Sequence, residues 1–127
     1  MPNTFTWNTK FKSIIIVDGE LFQNEYFGKL YITPYTANLK EQTTYFERLK
    51  HLFEQVLSNT ITTWRDEKLY QVLKKKSNNR FIELPKPPYD QIMAAVCFCK
   101  ANSILDGKIL VTKLELSSWQ GDGITYS

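Results

Sequence analysis

The sequence predicts an α+β fold: a mostly antiparallel sheet from N- and C-terminal hairpins, with two or three helices packed on it. Turn signals bracketed by β-prone runs stand near both ends, at Asp18-Gly19 and at Gly121-Asp122-Gly123. Between them the apolar spacing changes from period two to the 3.6 of a helix. A rigid elbow, "LPKPPYDQ", then separates a short β-prone run from a long apolar one.

Taken in order, "FKSIIIVDGELF" predicts a strand, a tight turn and a second strand. "GKLYITPY" predicts a further strand, alternating Leu30 and Ile32 against Tyr31 and Thr33 until Pro34 stops it. The preceding "TFTWNTKF" reads as an aromatic-rich arm. Its Phe5, Trp7 and Phe11 either fold back on the core or dock on a neighbouring subunit. From Asn38 to Leu57 a helix is expected, with Phe46, Leu49, Phe53, Val56 and Leu57 on one stripe. Asn38 caps its start, and Ser58-Asn59 punctuates its end.

Residues 59–76 admit two readings. Thr63 and Asp66 at capping spacing, with Leu69, Val72 and Leu73, predict a short helix ending near Lys76. Thr60 to Thr63 are instead β-prone, and "LYQVLK" offers a hairpin partner for the strand "RFIEL". The helix is the preferred reading. Pro85 and Pro88 have a P-x-x-P spacing that suits a strand-to-helix elbow better than a docking motif. A helix from Tyr89 to Asn102 is apolar nearly all round, which predicts a central position. "KILVTKLELSSW" gives a long strand, "QGDG" a turn and "ITYS" a returning strand. The expected core is Ile14, Ile16, Leu49, Phe53, Ile92, Val96, Leu110 and Leu114.

At 127 residues, 43% hydrophobic and 23% charged, the chain has the composition of one globular domain, 1–127. It stops inside a strand-like run, so either the terminal strand is tied into the sheet or this is one domain cut from a longer protein. "MPNTFTWNTKFK" lacks a basic segment followed by an apolar run, and "SIIIV" and "IMAAVCFC" are too short to span a bilayer. No membrane partner and a cytoplasmic, intracellular setting are expected.

Catalytic chemistry finds little support. Cys97 and Cys99 would point about 200° apart on a helix, which suits small buried hydrophobes and not a metal or redox pair. His51 stands alone, so no zinc site is expected. "GDG" lacks the lysine and helix of a phosphate loop, and no G-x-S-x-G elbow is present. Asp18, Glu20, Asp66, Glu67, Glu115 and Asp122 are explained by turns, caps and strand surfaces. The expectation leans away from an enzyme and includes no cofactor.

Charge is the uneven feature. Net charge is +3, yet residues 68–86 hold six basic side chains and one acid, Glu83. Lysines ending a helix complement its dipole, and Asn78-Asn79 suits a left-handed cap. That explanation does not require so many charges. The sequence therefore predicts a small non-catalytic binding protein that contacts RNA or single-stranded DNA. Lys74, Lys75, Lys76, Arg80, Lys68 and Lys86 would meet phosphates, and Tyr70 and Phe81 would stack on bases. The alternative is a protein-interaction or assembly subunit with an aromatic or strand-edge surface, meeting an acidic protein surface or another copy of itself.

Overall fold

Asp18 and Gly19 both adopt positive φ, 52° and 75°, the pairing that a two-residue hairpin turn favours. They join β1 (Phe5–Val17) to β2 (Glu20–Pro34) in a computed structural model that describes residues 3–75, 80–119 and 121–127, the Asp122 side chain excepted. The strands pair antiparallel from Phe5↔Ile32 to Val17↔Glu20. Both are longer than expected: "GKLYITPY" belongs to β2, and "TFTWNTKF" is largely the first half of β1, not an arm. The odd positions Phe5, Trp7 and Phe11 simply continue the face of Ile15.

Asn38 caps α1 (Leu39–His51), its Oδ1 accepting the Lys40 and Glu41 N–H groups at 3.0 and 3.1 Å. The helix runs into a π-helical turn, Leu52–Val56. That wider turn buries Leu52, Phe53 and Leu57 together and leaves Val56 exposed, off the expected stripe. The ambiguous stretch then contains both predicted elements. Thr60–Trp64 is β3, Lys68–Leu73 is α2, and Phe81–Leu84 is β4. Glu67 rather than Thr63 caps α2, its Oε1 accepting from Leu69 N at 3.4 Å and from the turn residue Gly19 N at 3.1 Å. The expected helix end at Lys76 and the Asn78-Asn79 cap lie outside the described residues.

The chain continues through α3 (Asp90–Ser103), β5 (Ile109–Ser118) and β6 (Gly121–Tyr126). Strand order is β4-β3-β1-β2-β5-β6. Both terminal hairpins are present, but the expectation of a mostly antiparallel sheet needs correcting. The six-stranded sheet is mixed, because β3 runs parallel to β1 and β4 parallel to β3. Helix α1 carries the chain across β1, so β3 enters beside Ser13–Ile15 in the same direction. Helix α2 is the second crossover, the connection that parallel neighbours require.

Helices α1 and α3 cover one face of the sheet. Phe53 meets Trp7 at 5.8 Å and Phe11 at 5.9 Å between ring centres. Met93, Ala94, Cys97 and Ala101 of α3 join Leu30, Ile32, Leu114 and Leu116 in the same core. Of the expected core, Ile16, Leu49, Phe53 and Leu114 are buried, whereas Ile14, Ile92, Val96 and Leu110 are half-buried. Ile15 rather than Ile14 faces the helices. Helix α3 is not central: it lies on the sheet and exposes Cys99, contrary to expectation. Helix α2 packs at the β3–β4 end of the other face, where Tyr70 meets Phe81 in the row Phe81↔Ile61↔Ile14. Among the described residues no helix is long and apolar enough to cross a membrane.

Candidate functional site

Three places carry unspent polar capacity: the basic segment, a free strand edge, and a buried polar cluster. In the basic segment Lys68, Lys74, Lys75 and Lys86 are exposed, and Lys76 lies outside the described residues. The Lys74 ammonium sits 5.2 Å from the centre of the Tyr70 ring. Arg80 has another role. Its Nη2 donates to the carbonyls of Gln55, Val56 and Ser58 at 2.9, 3.2 and 3.4 Å, closing the open end of the π turn. Tyr70 is buried and packs on the half-buried Phe81, with 5.2 Å between ring centres. Burial, then the neighbouring Glu83, raises the Tyr70 phenol above its usual range. The two rings expected to stack on bases are therefore used on each other.

The free edge belongs to β1. Because β3 pairs only with Ser13–Ile15, the first part of β1 has no strand on that side. The carbonyls of Lys12 and Ile16 point there, accepting from Asn59 N at 2.8 Å and Thr63 Oγ1 at 3.2 Å. By the period of two, Thr6, Asn8 and Lys10 direct their N–H and C=O groups the same way. Among the described residues these groups have no partner on that side, and all three residues are exposed. A groove of about 940 Å³ adjoins them, following the transverse row Thr9–Gly28–Leu116–Ile124 and its neighbours, with Glu54 from the π turn. Its lining residues Asn8, Lys10, Phe27, Lys29 and Thr125 are exposed and belong to the face away from α1 and α3. The alternation Phe5, Trp7, Phe11 against Thr6, Asn8, Lys10 was the available sequence signal for this edge.

The third place lies under α3. Ser13, Asn24, Tyr26, Thr60 and Thr62 are all buried, and the register Ser13↔Asn24 and Ser13↔Thr60 brings them together. Ser13 Oγ reaches Thr62 Oγ1 at 2.6 Å and donates to Thr60 O at 2.9 Å. Asn24 and Tyr26 lie two residues apart on the same face of β2, their side chains shut away from solvent. Burial pushes the Tyr26 phenol well up, a hydrogen bond from the Asn24 side chain draws it partly back, and the charge of Asp90 adds to the rise. Asp90 accepts from Ser118 Oγ at 3.0 and 2.8 Å, and a Cβ on Gly121 would collide with its carboxylate.

The remaining candidates stay apart. Asp18 accepts from the Tyr89 hydroxyl at 3.2 Å, and Glu115 accepts from Tyr31 at 3.1 Å. His51 is exposed at the end of α1. No group of three or more His, Cys, Asp or Glu that could hold a metal ion occurs among the described residues.

No protein-family model matches this chain, and no curated protein matches it. Solved structures do resemble it. An uncharacterised protein from Wolinella succinogenes superposes with a TM-score of 0.69 at 10% identity, over 99% of this chain and 98% of that one. A Plasmodium vivax 6-pyruvoyltetrahydropterin synthase, in a form with a catalytic glutamate replaced by cysteine, gives 0.58 at 8% identity over 99% and 97%. The Plasmodium falciparum 6-pyruvoyl tetrahydropterin synthase gives 0.56 at 9% identity over 98% and 96%. Such low identity speaks to architecture alone: the mixed six-stranded sheet with its three helices resembles the fold of these synthases.

Proposed function

We propose that this protein is an assembly subunit, joining a strand of a second copy to the free edge of β1. The observation that supports this reading is the row of unpaired backbone groups at Thr6, Asn8 and Lys10 beside the groove. An exposed strand edge is a template for pairing, and main-chain hydrogen bonds give such pairing its affinity. Exposed Phe5 at the start of the edge and Phe27 on the adjoining strand add apolar surface for the incoming chain. At 8–10% identity, the names of the synthase neighbours bring no activity to this chain.

The test is the mass of the protein in solution against concentration, wild type beside Asn8→Pro. Proline removes an N–H that points away from β2, so the hairpin survives while the edge loses a donor. The expected result is a wild-type oligomer and a variant that is monomeric but folded, with a melting temperature that no longer rises with protein concentration. A wild type that stays monomeric at high concentration, or a variant that still assembles fully, would sink the reading.

A second reading is favoured by the exposure of Lys68, Lys74, Lys75 and Lys86: contact with RNA, single-stranded DNA or an acidic protein surface. The two readings use different residues, those of β1 and those around α2 and β4, and are separable by mutation.

A further inference from the structure

We infer that the open face of the sheet is a platform for unpaired bases, with Phe27 stacking on a base of a single-stranded nucleic acid whose phosphates meet the α2 lysines. This rests on the nucleic-acid reading of the basic segment. It supplies the stacking surface that Tyr70 and Phe81 lack, because those two rings lie against each other.

Helices α1 and α3 cover one face of the sheet. On the other, α2 sits over the row Phe81↔Ile61↔Ile14. From Ile14 the same face of β1 continues through Lys12 to Lys10, about 13 Å along the strand. The exposed lysines of α2 and those of β1 therefore share one side of the molecule. Lys10 stands opposite Phe27, and Lys12 and Lys29 lie one row to either side. All three lysines are exposed, and among the described residues none joins an ion pair. Phe27 is 43% exposed and lines the groove of about 940 Å³. A ring set among three ammonium groups lets a base stack while cations meet its backbone. An uncovered sheet face bearing aromatic rings is a surface on which bases stack. Trp119, 59% exposed, adds a second ring where its N–H donates to Glu25 O at 3.3 Å.

The carboxylates of this face do little to repel a phosphate. Glu115 accepts from Tyr31 at 3.1 Å and pairs with Lys113 at 3.7 Å. Glu83 stands beside the Tyr70 phenol, and Glu25, opposite Lys12, is only 9% exposed. Glu54 lies at the margin of the groove. Lysines alone would serve an acidic protein surface equally well. The exposed ring among them favours bases, which have a flat π-face to offer.

The test compares a short labelled oligothymidylate with the same backbone made abasic throughout, by fluorescence anisotropy at low salt. Wild type should bind the base-bearing strand about fivefold tighter or more, the low end for one stacked base. Phe27→Leu keeps an apolar side chain but no flat ring, so it should lose that preference and bind both strands as wild type binds the abasic one. Ultraviolet cross-linking of wild type should fall on the β2 peptide that holds Phe27, which decides the matter should the variant fail to fold. Equal wild-type affinity for the two strands overturns the inference and leaves phosphate contact by the basic segment standing. A preference that survives in Phe27→Leu, or cross-links confined to α2 and β4, overturns it too. So does polyglutamate that displaces the strand as well as unlabelled oligothymidylate does, which would mark an acidic protein surface as the partner. Binding of neither strand defeats both the inference and the reading beneath it.

Discussion

The antiparallel half of the sheet and the parallel half are held by different forces. Strands β1, β2 and β5 run for 13, 15 and 10 residues and present Phe11, Tyr26, Leu30, Ile32 and Leu114 to two helices. Strands β3 and β4 run for only five and four, and three of the buried positions of β3 are threonines. The short half is tied to the long half by polar bonds: Ser13 to Thr60 and Thr62, Thr63 to Ile16, Glu67 to Gly19, Arg80 to Gln55. Apolar area accumulates with strand length, so a long hairpin can rely on burial. A four-residue edge strand cannot, and each neutral tie adds only about 0.5–1.5 kcal/mol. The charge excess therefore sits on the less deeply packed half, and the free backbone edge on the better packed one.

The largest expected effect tests the burial side of this contrast. Phe53 is fully buried where the π turn meets Trp7 and Phe11. Phe53→Ala should cost about 3–5 kcal/mol in urea-induced unfolding, the range for emptying an aromatic site in a core. A variant that unfolds like its parent would mean that the long half does not depend on this contact, and the contrast would fail.

Much of the long half was legible in the sequence, because local chemistry specifies it. Asp18-Gly19 can form the tight turn without a partner elsewhere, and Asn38 can cap with its own neighbours. Strand direction was not legible. Apolar alternation tells which face a residue takes but not which way the adjacent strand runs, so the parallel entry of β3 beside Ser13 left no mark in "TITTW". At the basic segment, the charges of residues 68–86 were plain, but the carbonyls that occupy Arg80 lie more than twenty positions earlier. Tyr70 and Phe81 looked available for stacking only because their mutual contact requires the α2 crossover.

Helix α3 repeats the contrast within two residues and gives the middle effect. Cys97 faces the long half, where burial pushes its thiol up from 9.0 to about 12, while Cys99 is exposed. Under native conditions a thiol reagent should label one cysteine per chain, at Cys99. The raised Cys97 value favours the folded state's neutral thiol, so its contribution is intact below pH 9. As pH climbs from about 9 toward 12, the unfolded thiol ionises first and stability falls by about 1.4 kcal/mol per pH unit from this group. Cys97→Ala should flatten the alkaline stability curve by that slope relative to the parent. Fast labelling of both thiols, or identical alkaline curves, would show that α3 is less firmly seated than its packing implies.

The smallest effect on stability, and the sharpest separation of the two halves, comes from the lysines. Lys68, Lys74, Lys75 and Lys86 are exposed on the short half, so replacing the first three with glutamine should change stability by within about 0.5 kcal/mol each. If these four side chains each neutralise one phosphate of a single strand, log K should fall with log salt at a slope of about −3, from roughly 0.7 per contact. The triple glutamine variant should flatten that slope by about 2. Anisotropy of a labelled oligonucleotide across a salt series measures both. The same variant should assemble as the parent does, since none of its changes touches β1, and Asn8→Pro should leave the salt slope intact. Absence of wild-type binding at low salt would reduce the lysines to a solvated helix face. A triple variant that loses assembly would instead show that the partner docks on the short half, which would move the interface away from the β1 edge.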